Sequence, residues 1–432
     1  MIKTLVLLTV TATAFAFCMQ AGVVSLLTWV WLSLMMPQSE AWSSVLLNYS
    51  NMIAGIFTII ALFSVKERKI PKANAFTVLF FLFAIIIIIS HIFSKNRETS
   101  YHMFYVGSVT LFMSFAVLLL INTKVKIQAL VWVVVLSLGY YGVTRGLYTI
   151  AGGGAGIVSG PAGTVITDNN QLAVALASTA PLAYYLFRIT ADKWVRLLAA
   201  GIFALSIVAV IGTHSRGGLI SLGVLVLSLI ARAKNKILYI AVMLVVAGGT
   251  LLIMPASWFN RMDTIGSAEE DSSFMGRVEA WAVAYKIALE NPILGVGARV
   301  HYFPEYNHHV APEITVSGRP YIHRATHNAY FEIMAGNGFL ALGAFLGMMA
   351  TTFFWCGKIM RLTRNKPGFL WANELASMLQ LSLLVFGVGT MALSMEFWAG
   401  FWINMVLAVN LREIVLRELK ATPDVAKQEA YA

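Results

Sequence analysis

Residues 196–232, RLLAAGIFALSIVAVIGTHSRGGLISLGVLVLSLIAR, decide the fold class. Two apolar runs, 195–213 and 216–232, are each long enough to cross a bilayer as a helix, and a short polar break separates them. Runs of this kind recur along all 432 residues, which are 59% hydrophobic and 12% charged, with a mean hydropathy of +0.76. A soluble protein needs more polar surface, and a β-barrel shows short alternating segments instead. The sequence therefore predicts an all-α, polytopic membrane protein.

Apolar windows along the chain predict the transmembrane helices. They fall at about 4–36, 44–65, 74–93, 103–121, 127–149, 170–188, 195–213, 216–232, 236–254, 330–357, 374–394 and 398–412. Short basic clusters lie between many of these windows, and such clusters favour the cytoplasmic side. If all of them are cytoplasmic, residues 4–36 count as one crossing, which gives about twelve transmembrane helices with both termini inside. The length of this first window is compatible with one broken helix or with two short ones.

The windows divide the chain into four parts. These are an N-terminal transmembrane bundle (1–254), a large periplasmic loop domain with short helices (255–328), C-terminal transmembrane helices (329–412) and a cytoplasmic tail (413–432). We expect the first window to be a membrane anchor rather than a cleaved signal peptide, because no clear A-x-A cleavage site follows it. The net charge of +11 resides mostly in the basic clusters, so it indicates topology and no nucleic-acid partner. Cys18 and Cys356 lie in apolar segments, which excludes a disulfide framework and a cysteine metal site.

The polar break in the opening stretch has the chemistry of an anion site. Ser215 is a predicted N-cap, so Arg216 falls in the first turn of the next helix, where backbone N–H groups have no intrahelical partner. An arginine at a helix N-terminus favours phosphate or diphosphate, and Gly217 and Gly218 would leave room for a bulky group. Arg145 lies near the outer end of its helix, which is typical of an arginine that faces a cavity or a partner. A helix break with a snorkelling arginine is the simpler alternative.

The long loop supplies a third arginine and a candidate base. SSFMGRVEAWAVAYKIALENP, residues 272–292, predicts a helix with Arg277 near its N-terminus, on a face shared with Trp281. An interfacial helix with a snorkelling arginine is again the alternative. Thr326 is a predicted N-cap that places His327 in the first turn of the next helix. The positive end of a helix disfavours imidazolium, so His327 is expected to be neutral and able to accept a proton.

These polar residues are expected to converge at the outer membrane surface. The set comprises Arg145, Arg216, Arg277, His327 and, as supporting residues, Asp168, Asn170 and Ser215. Cations for an anionic lipid headgroup, together with one neutral base, indicate a transferase that acts on a lipid diphosphate. A lipid-linked glycan transporter is the alternative from another class, and it would show inverted repeats and polar residues near the midplane of several helices.

A metal site is a further alternative. His323 and His327 are spaced i, i+4, and His308 and His309 lie nearby, so a zinc site can be drawn from them. The sequence has no H-E-x-x-H motif, and the paired histidines precede a proline-containing stretch. We therefore expect no metal and no cofactor.

Three segments resemble the signature regions of the O-antigen ligase and polymerase superfamily, which consists of integral membrane glycosyltransferases. They are THSRGGLISL (213–222), FMGRVEAWAVAYKIALENPILGVG (274–297) and HNAYFEIMAGNGFLALGAFL (327–346). More narrowly, SLMMPQSEAW, GGGAGIVSGPAG and ITDNNQLAVALASTAPLAYYL are similar to the exosortase-associated O-glycosylation ligases. The resemblance extends from about Trp31 to Leu346. A typical lipopolysaccharide ligase often lacks the long glycine-rich insert, so the acceptor stays open.

The resemblance implies roles for individual residues. Arg216 matches the arginine of the S-R-G motif and Arg277 matches the arginine that opens the loop helix, and both are implied to hold the donor diphosphate. His327 matches the histidine of the H-N-x-x-x-E pattern and is implied to be the catalytic base. Asp168 and Asn170 match a D-N-N segment that is expected to support the donor site.

The resemblance also implies a reaction and a location. The donor is a glycan on undecaprenyl diphosphate, used at the periplasmic face of the bacterial inner membrane, and the transfer is metal-independent. We expect inversion at the anomeric carbon. The acceptor hydroxyl lies on lipid A-core or another periplasmic acceptor, and the alternatives with the same donor are a protein O-oligosaccharyltransferase and a polysaccharide polymerase.

Overall fold

The computed structural model describes residues 2–18, 20–41, 47, 49–64, 68, 72–263, 272–307, 309–310 and 324–421, and the regular structure among them is helical, with no strand. The all-α prediction is confirmed over these residues. In chain order the α-helices are α1 (Ile2–Cys18), α2 (Gly22–Met35), α3 (Ser50–Ser64), α4 (Ala75–Ile92), α5 (Arg97–Leu120), α6 (Lys124–Ala151), α7 (Asn169–Ile189), α8 (Lys193–Gly212), α9 (Arg216–Arg232), α10 (Lys236–Ile253), α11 (Ala256–Asp263), α12 (Ser272–Glu290), α13 (Pro304–Asn307), α14 (Ala329–Thr363), α15 (Leu370–Gly389) and α16 (Ala399–Ala421).

Eight of the described helices are long and apolar enough to cross a membrane. They are α4 to α8, α14, α16 and the segment Pro367–Ala392, which contains α15. Shorter apolar helices cover Lys3–Cys18, Ser50–Ser64 and Tyr239–Thr250. These lengths and compositions support a multi-pass membrane protein, whereas the count of twelve crossings and the periplasmic position of the long loop stay predictions.

The first apolar window forms two helices, whereas the predicted topology counts this window as a single crossing. α1 and α2 are separated by a turn at residues 20–21, and Lys3 bonds to Glu40 just beyond α2. The start of α1 and the end of α2 therefore lie at the same end of the bundle. Tyr140 donates to the same Glu40 carboxylate over 3.2 Å, and this contact attaches the helix pair to α6.

Several helix ends meet at one end of the bundle, which we call the site end: α7, α9 and α14 begin there, and α8 and α15 end there. The Asn169 side chain donates to the Thr213 carbonyl over 2.7 Å, and the Asn328 side chain donates to the Met391 carbonyl over 2.8 Å. At the opposite end, Arg188 pairs with Glu374 over 3.0 Å. The helix directions place most of the predicted basic clusters at that opposite end.

α14 contains a break that positions the loop after α12. Gly338 has φ 85° and ψ 172°, which interrupts the helix, and the loop 292–297 lies alongside the break. The Val296 N–H donates to the Ala335 carbonyl over 3.0 Å, and the Phe339 N–H donates to the Pro292 carbonyl over 2.8 Å. Loop backbone therefore pairs with backbone groups around the break, which fixes α12 against the first half of α14.

The last helix extends beyond the predicted end of the C-terminal transmembrane region. The predicted cytoplasmic tail begins at residue 413, but α16 continues without interruption to Ala421. Arg417 from this extension donates to the Asn122 carbonyl over 3.0 Å, and Ile414 and Val415 are buried. Residues 413–421 are therefore part of the last helix, because their apolar side chains continue to pack on the bundle.

Candidate functional site

The start of α7 and the start of α9 are joined by a chain of polar side chains. Asp168 is the N-cap of α7 and accepts from the Asn170 backbone N–H over 2.8 Å. The Asn170 side chain also donates to Asp168 over 2.8 Å, and its carbonyl oxygen accepts from the Ser215 hydroxyl over 2.7 Å. Ser215 in turn caps α9 by accepting from the Gly218 N–H over 3.0 Å. The predicted cap at Ser215 is confirmed, and Arg216 follows it as the first residue of α9.

Gly218, directly after the S-R-G motif, differs from its expected use. A Cβ on Gly218 would collide with the Ala173 side chain, so this glycine provides close packing of α9 on α7 rather than room for a headgroup. At Gly217 a Cβ would be in ordinary contact, 3.6 Å from Ala392. His214 is buried, and its Nε2 lies 2.9 Å from the Gly154 carbonyl oxygen, so it anchors the glycine-rich loop.

The loop helix α12 carries Arg277 towards α14. Its observed bounds, Ser272–Glu290, confirm the predicted helix. Trp281, one turn after Arg277, donates from Nε1 to the Thr326 carbonyl over 2.7 Å and stacks on Phe331 with a centroid distance of 5.7 Å. Ala284 and Ala288, which follow Trp281 at helical spacing, are fully buried, so this face packs inside the protein.

A second arginine joins Arg277 in a way that the sequence analysis did not predict. The guanidinium of Arg324 occupies the space where a Cβ of residue 276 would lie, so a larger residue at this position would require the arginine to move. Arg324 thus packs against Gly276, the residue directly before Arg277. Its charge, like that of Arg277, acts on the neighbouring histidine.

His327 lies just outside α14, not in its first turn. Asn328 is the N-cap and accepts from the N–H groups of Tyr330 and Phe331 over 3.0 and 3.3 Å. The predicted cap at Thr326 is therefore wrong: asparagine caps at least as well as threonine, and the Thr326 hydroxyl instead donates to Glu332 over 2.6 Å. His327 adopts φ 47°, a conformation that is uncommon for residues other than glycine.

The environment of His327 favours the neutral base. The residue is exposed, so a substrate hydroxyl can reach its ring. Partial burial of the ring, followed by the positive charge of Arg277, lowers the pKa of His327 below the ordinary 6.5, while the negative charges of Glu332 and Asp168 act in the opposite direction. The charges of Arg277, on α12, and of Asp168, at the start of α7, therefore both act on His327.

Arg145 has a different setting. Its Nη2 lies 3.6 Å from Glu40 Oε1, beside the α1–α2 pair, and its Nε is buried without a hydrogen-bond partner among the described residues. Glu40 already interacts with Lys3 and Tyr140. Arg145 therefore has a carboxylate partner at the site end.

A buried acidic centre, which was not predicted from the sequence, lies near His327. The Glu332 carboxylate accepts from the hydroxyls of Thr326 and Ser394 over 2.6 and 2.7 Å, and from Tyr302. His301 Nε2 lies 3.4 Å from the other carboxylate oxygen, and both side chains are 3% exposed. A carboxylate inside an otherwise apolar helix was the available signal, because such a residue needs partners.

The alternative zinc site depends on four histidines, of which the structure describes two. His308 and His323 lie outside the described residues, and His309 pairs with Glu290 over 2.7 Å. Among the residues that the structure describes, no group of three or more His, Cys, Asp or Glu side chains is placed to hold a metal ion.

Two family models match the chain. Residues 2–191 match a family of unknown function (DUF5935), and residues 201–346 match the O-antigen ligase family. The comparison with curated proteins found no match. The second segment contains Arg216, Arg277, His327 and Glu332. The match shows that residues 201–346 are similar to the O-antigen ligase family, in a chain with eight described helices that are long and apolar enough to cross a membrane.

Proposed function

We propose that the protein transfers a glycan from undecaprenyl diphosphate to an acceptor hydroxyl. The observation that carries the proposal is that His327 is exposed and that the charges of Arg277 and Asp168 both act on its pKa. Asp168 belongs to the hydrogen-bonded chain that leads to the start of α9, where Arg216 is the first residue. A base and arginines within one site suit a reaction in which a hydroxyl loses a proton and a diphosphate leaves.

The proposed step balances on the residues of this chain. His327 accepts the proton of the acceptor hydroxyl, and the oxygen attacks the anomeric carbon from the face opposite the diphosphate. The bond between that carbon and the diphosphate oxygen breaks, and undecaprenyl diphosphate leaves with the electron pair. Arg216 and Arg277 stabilise the added negative charge, so the step needs no metal or cofactor and inverts the configuration.

The supporting residues determine where the Arg216 side chain begins. Asp168, Asn170 and Ser215 form the hydrogen-bonded chain that sets the first turn of α9 and hence the start of the Arg216 side chain. For Arg145 we propose a supporting role in place of direct diphosphate binding, because the Glu40 carboxylate 3.6 Å away already compensates its charge.

Lipid A-core is the acceptor that we propose first, with the active site on the periplasmic face of the inner membrane. A protein acceptor or a second glycan requires the same donor chemistry, as in the exosortase-associated ligases that the N-terminal segments resemble. A deletion strain separates the three: loss of glycan from lipopolysaccharide supports lipid A-core, loss from secreted proteins supports a protein ligase, and shortened glycan chains support a polymerase.

The donor is tested directly in proteoliposomes that contain the purified protein. Undecaprenyl-diphosphate-linked glycan and an acceptor fraction are supplied in the presence of EDTA, and release of undecaprenyl diphosphate is measured. We expect release that depends on the acceptor and survives chelation. Absence of release with every acceptor fraction would overturn the proposed donor, and loss of activity in EDTA would overturn the metal-independent mechanism.

A further inference from the structure

Beneath the candidate base, two buried glutamates come from distant parts of the chain. Glu332 belongs to the first half of α14, and Glu396 lies between α15 and α16. Both are about 4% exposed. Ser394, two residues before Glu396, donates its hydroxyl to Glu332 over 2.7 Å, which fixes the segment that carries one glutamate against the other.

The two carboxyl groups have unequal surroundings. Glu332 accepts from three hydroxyls, those of Thr326, Tyr302 and Ser394, and has His301 within 3.4 Å. Glu396 Oε2 is buried without a hydrogen-bond partner among the described residues. A buried carboxylate needs donors, and an ionised group without them is strongly disfavoured. The negative charge therefore belongs on Glu332 and the proton on Glu396.

Glu332 is also attached to the turn that holds His327. Its carboxylate binds Thr326, the residue directly before the histidine, while Asn328, the residue directly after it, binds the Met391 carbonyl over 2.8 Å. His327 has the strained φ of 47° between these two anchors. A conformation of this kind persists only where the surrounding structure imposes it.

We propose that Glu332 and Glu396 form an anion and neutral acid pair that positions His327, with Glu332 as the charged anchor and Glu396 as the protonated partner. The inference deepens the proposed function, on which the activity measurements below rest. Both glutamates are positioning residues, because Glu332 acts through its bond to Thr326 and Glu396 acts through Glu332 rather than on the substrate.

The charges around Glu396 agree with this assignment. Burial and the Glu332 carboxylate raise the pKa of Glu396 to about 8, against the opposing charge of Arg299. Tyr302 and His301 are the other titratable groups that surround the pair, and burial and Glu332 raise the pKa of Tyr302. Because the pKa of Glu396 is raised on folding, its stabilising contribution is present at low pH and is lost as the pH rises through about 8.

Isosteric replacement of the two glutamates should affect turnover unequally. Glu332→Gln removes the anion, and we expect kcat to fall about 10- to 100-fold through misplacement of the base, with the KM for donor unchanged. Glu396→Gln resembles the protonated acid, so we expect turnover near the unmutated value at pH 7. In that variant two losses should disappear: the loss of stability between the ordinary carboxyl pKa and about pH 8, and the loss of rate as the pH rises through about 8.

A third variant distinguishes the effect of the Glu332 charge on His327 from the effect of the Glu332–Thr326 bond on the position of His327. Thr326→Val breaks the link to the His327 turn and leaves the Glu332 charge in place. The titration of His327 is followed by its modification with diethyl pyrocarbonate at varied pH, mapped by peptide mass spectrometry. Loss of the Glu332 charge should shift the midpoint to lower pH in Glu332→Gln, while Thr326→Val should lower kcat and leave the midpoint unchanged.

The outcomes distinguish this inference from the proposed function. Equal effects of the two Glu→Gln variants, or an unshifted His327 midpoint in a folded Glu332→Gln protein, would overturn the pair. If Glu332→Gln does not fold, a Thr326→Val protein with unmutated turnover overturns it instead. If the unmutated protein shows no transfer from undecaprenyl diphosphate, the proposed function fails, and the modification midpoints still decide whether the pair exists.

Discussion

The Trp281 indole donates a hydrogen bond to the Thr326 carbonyl over 2.7 Å, which joins the loop helix to the residue directly before His327. The same ring stacks on Phe331 at an interplanar angle of 6°. Arg277 lies one turn before Trp281 on α12. This contact therefore sets the distance between the arginine that is proposed to hold the donor and the proposed base.

Replacement of Trp281 by phenylalanine tests that role. The ring keeps its stacking on Phe331 but loses the hydrogen bond, so we expect a loss of about 0.5–1.5 kcal/mol in stability. kcat should fall more than donor affinity, because the His327 turn loses one of its attachments. Thermal unfolding and steady-state kinetics on the purified variant measure both effects, and an unchanged kcat in a destabilised protein would limit Trp281 to a structural role.

The three arginines provide a matched comparison. Arg216→Ala and Arg277→Ala should each weaken donor use by about 1.5–3 kcal/mol, the range for a hydrogen bond to a charged group. Arg145→Ala should affect stability more than the KM for donor, because its partner is Glu40. Donor titration of all three variants tests the assignment, which fails if Arg145→Ala has the largest effect on donor KM.

Gly276→Ala tests the second cation of the α12–α14 junction. The added Cβ occupies the place of the Arg324 guanidinium, so the arginine must move away. Since the charge of Arg324 lowers the pKa of His327, its displacement should raise that pKa. The acidic limb of the rate profile should then shift to higher pH, because protonated histidine cannot accept a proton. Ala280→Gly on the same helix is a control for helix stability, and an equal shift in that control would contradict the prediction.

The junction between α7 and α9 is tested by a double-mutant cycle. Ser215→Ala removes both the cap of α9 and the bond to Asn170, at an expected cost of about 0.5–2 kcal/mol. Asn170→Ala removes the same bond from the other side. The two costs should be less than additive in the double variant, since residues in one hydrogen-bond network couple. Strict additivity in thermal unfolding would show that the bond contributes nothing to stability.

The sequence predicted those parts of the site that depend on local order. The cap at Ser215, the bounds of α12 and the buried face that contains Trp281 follow from residue types at helical spacing. The choice of Asn328 over Thr326 as the N-cap of α14 does not follow from residue type, because both residues are good caps and the Thr326 hydroxyl binds Glu332 instead.

Long-range partners account for the remaining differences. Glu332 takes its donors from segments 30 residues upstream and 62 residues downstream, and no periodic pattern relates them. The pairing of Arg145 with Glu40 likewise depends on how α1 and α2 fold back on each other. The sequence alone suggests open space at Gly218, because the residue that fills this space, Ala173, lies on another helix.

The central claim is that His327 is the base, and the most direct measurement is the turnover of His327→Ala with undecaprenyl-diphosphate-linked glycan in proteoliposomes. His309→Ala serves as the matched control, because His309 is an exposed histidine paired with Glu290. We predict that His327→Ala loses about 10²–10⁴-fold in kcat while it still folds and binds donor, and that the control keeps its activity. Turnover of His327→Ala at the unmutated rate would contradict the mechanism.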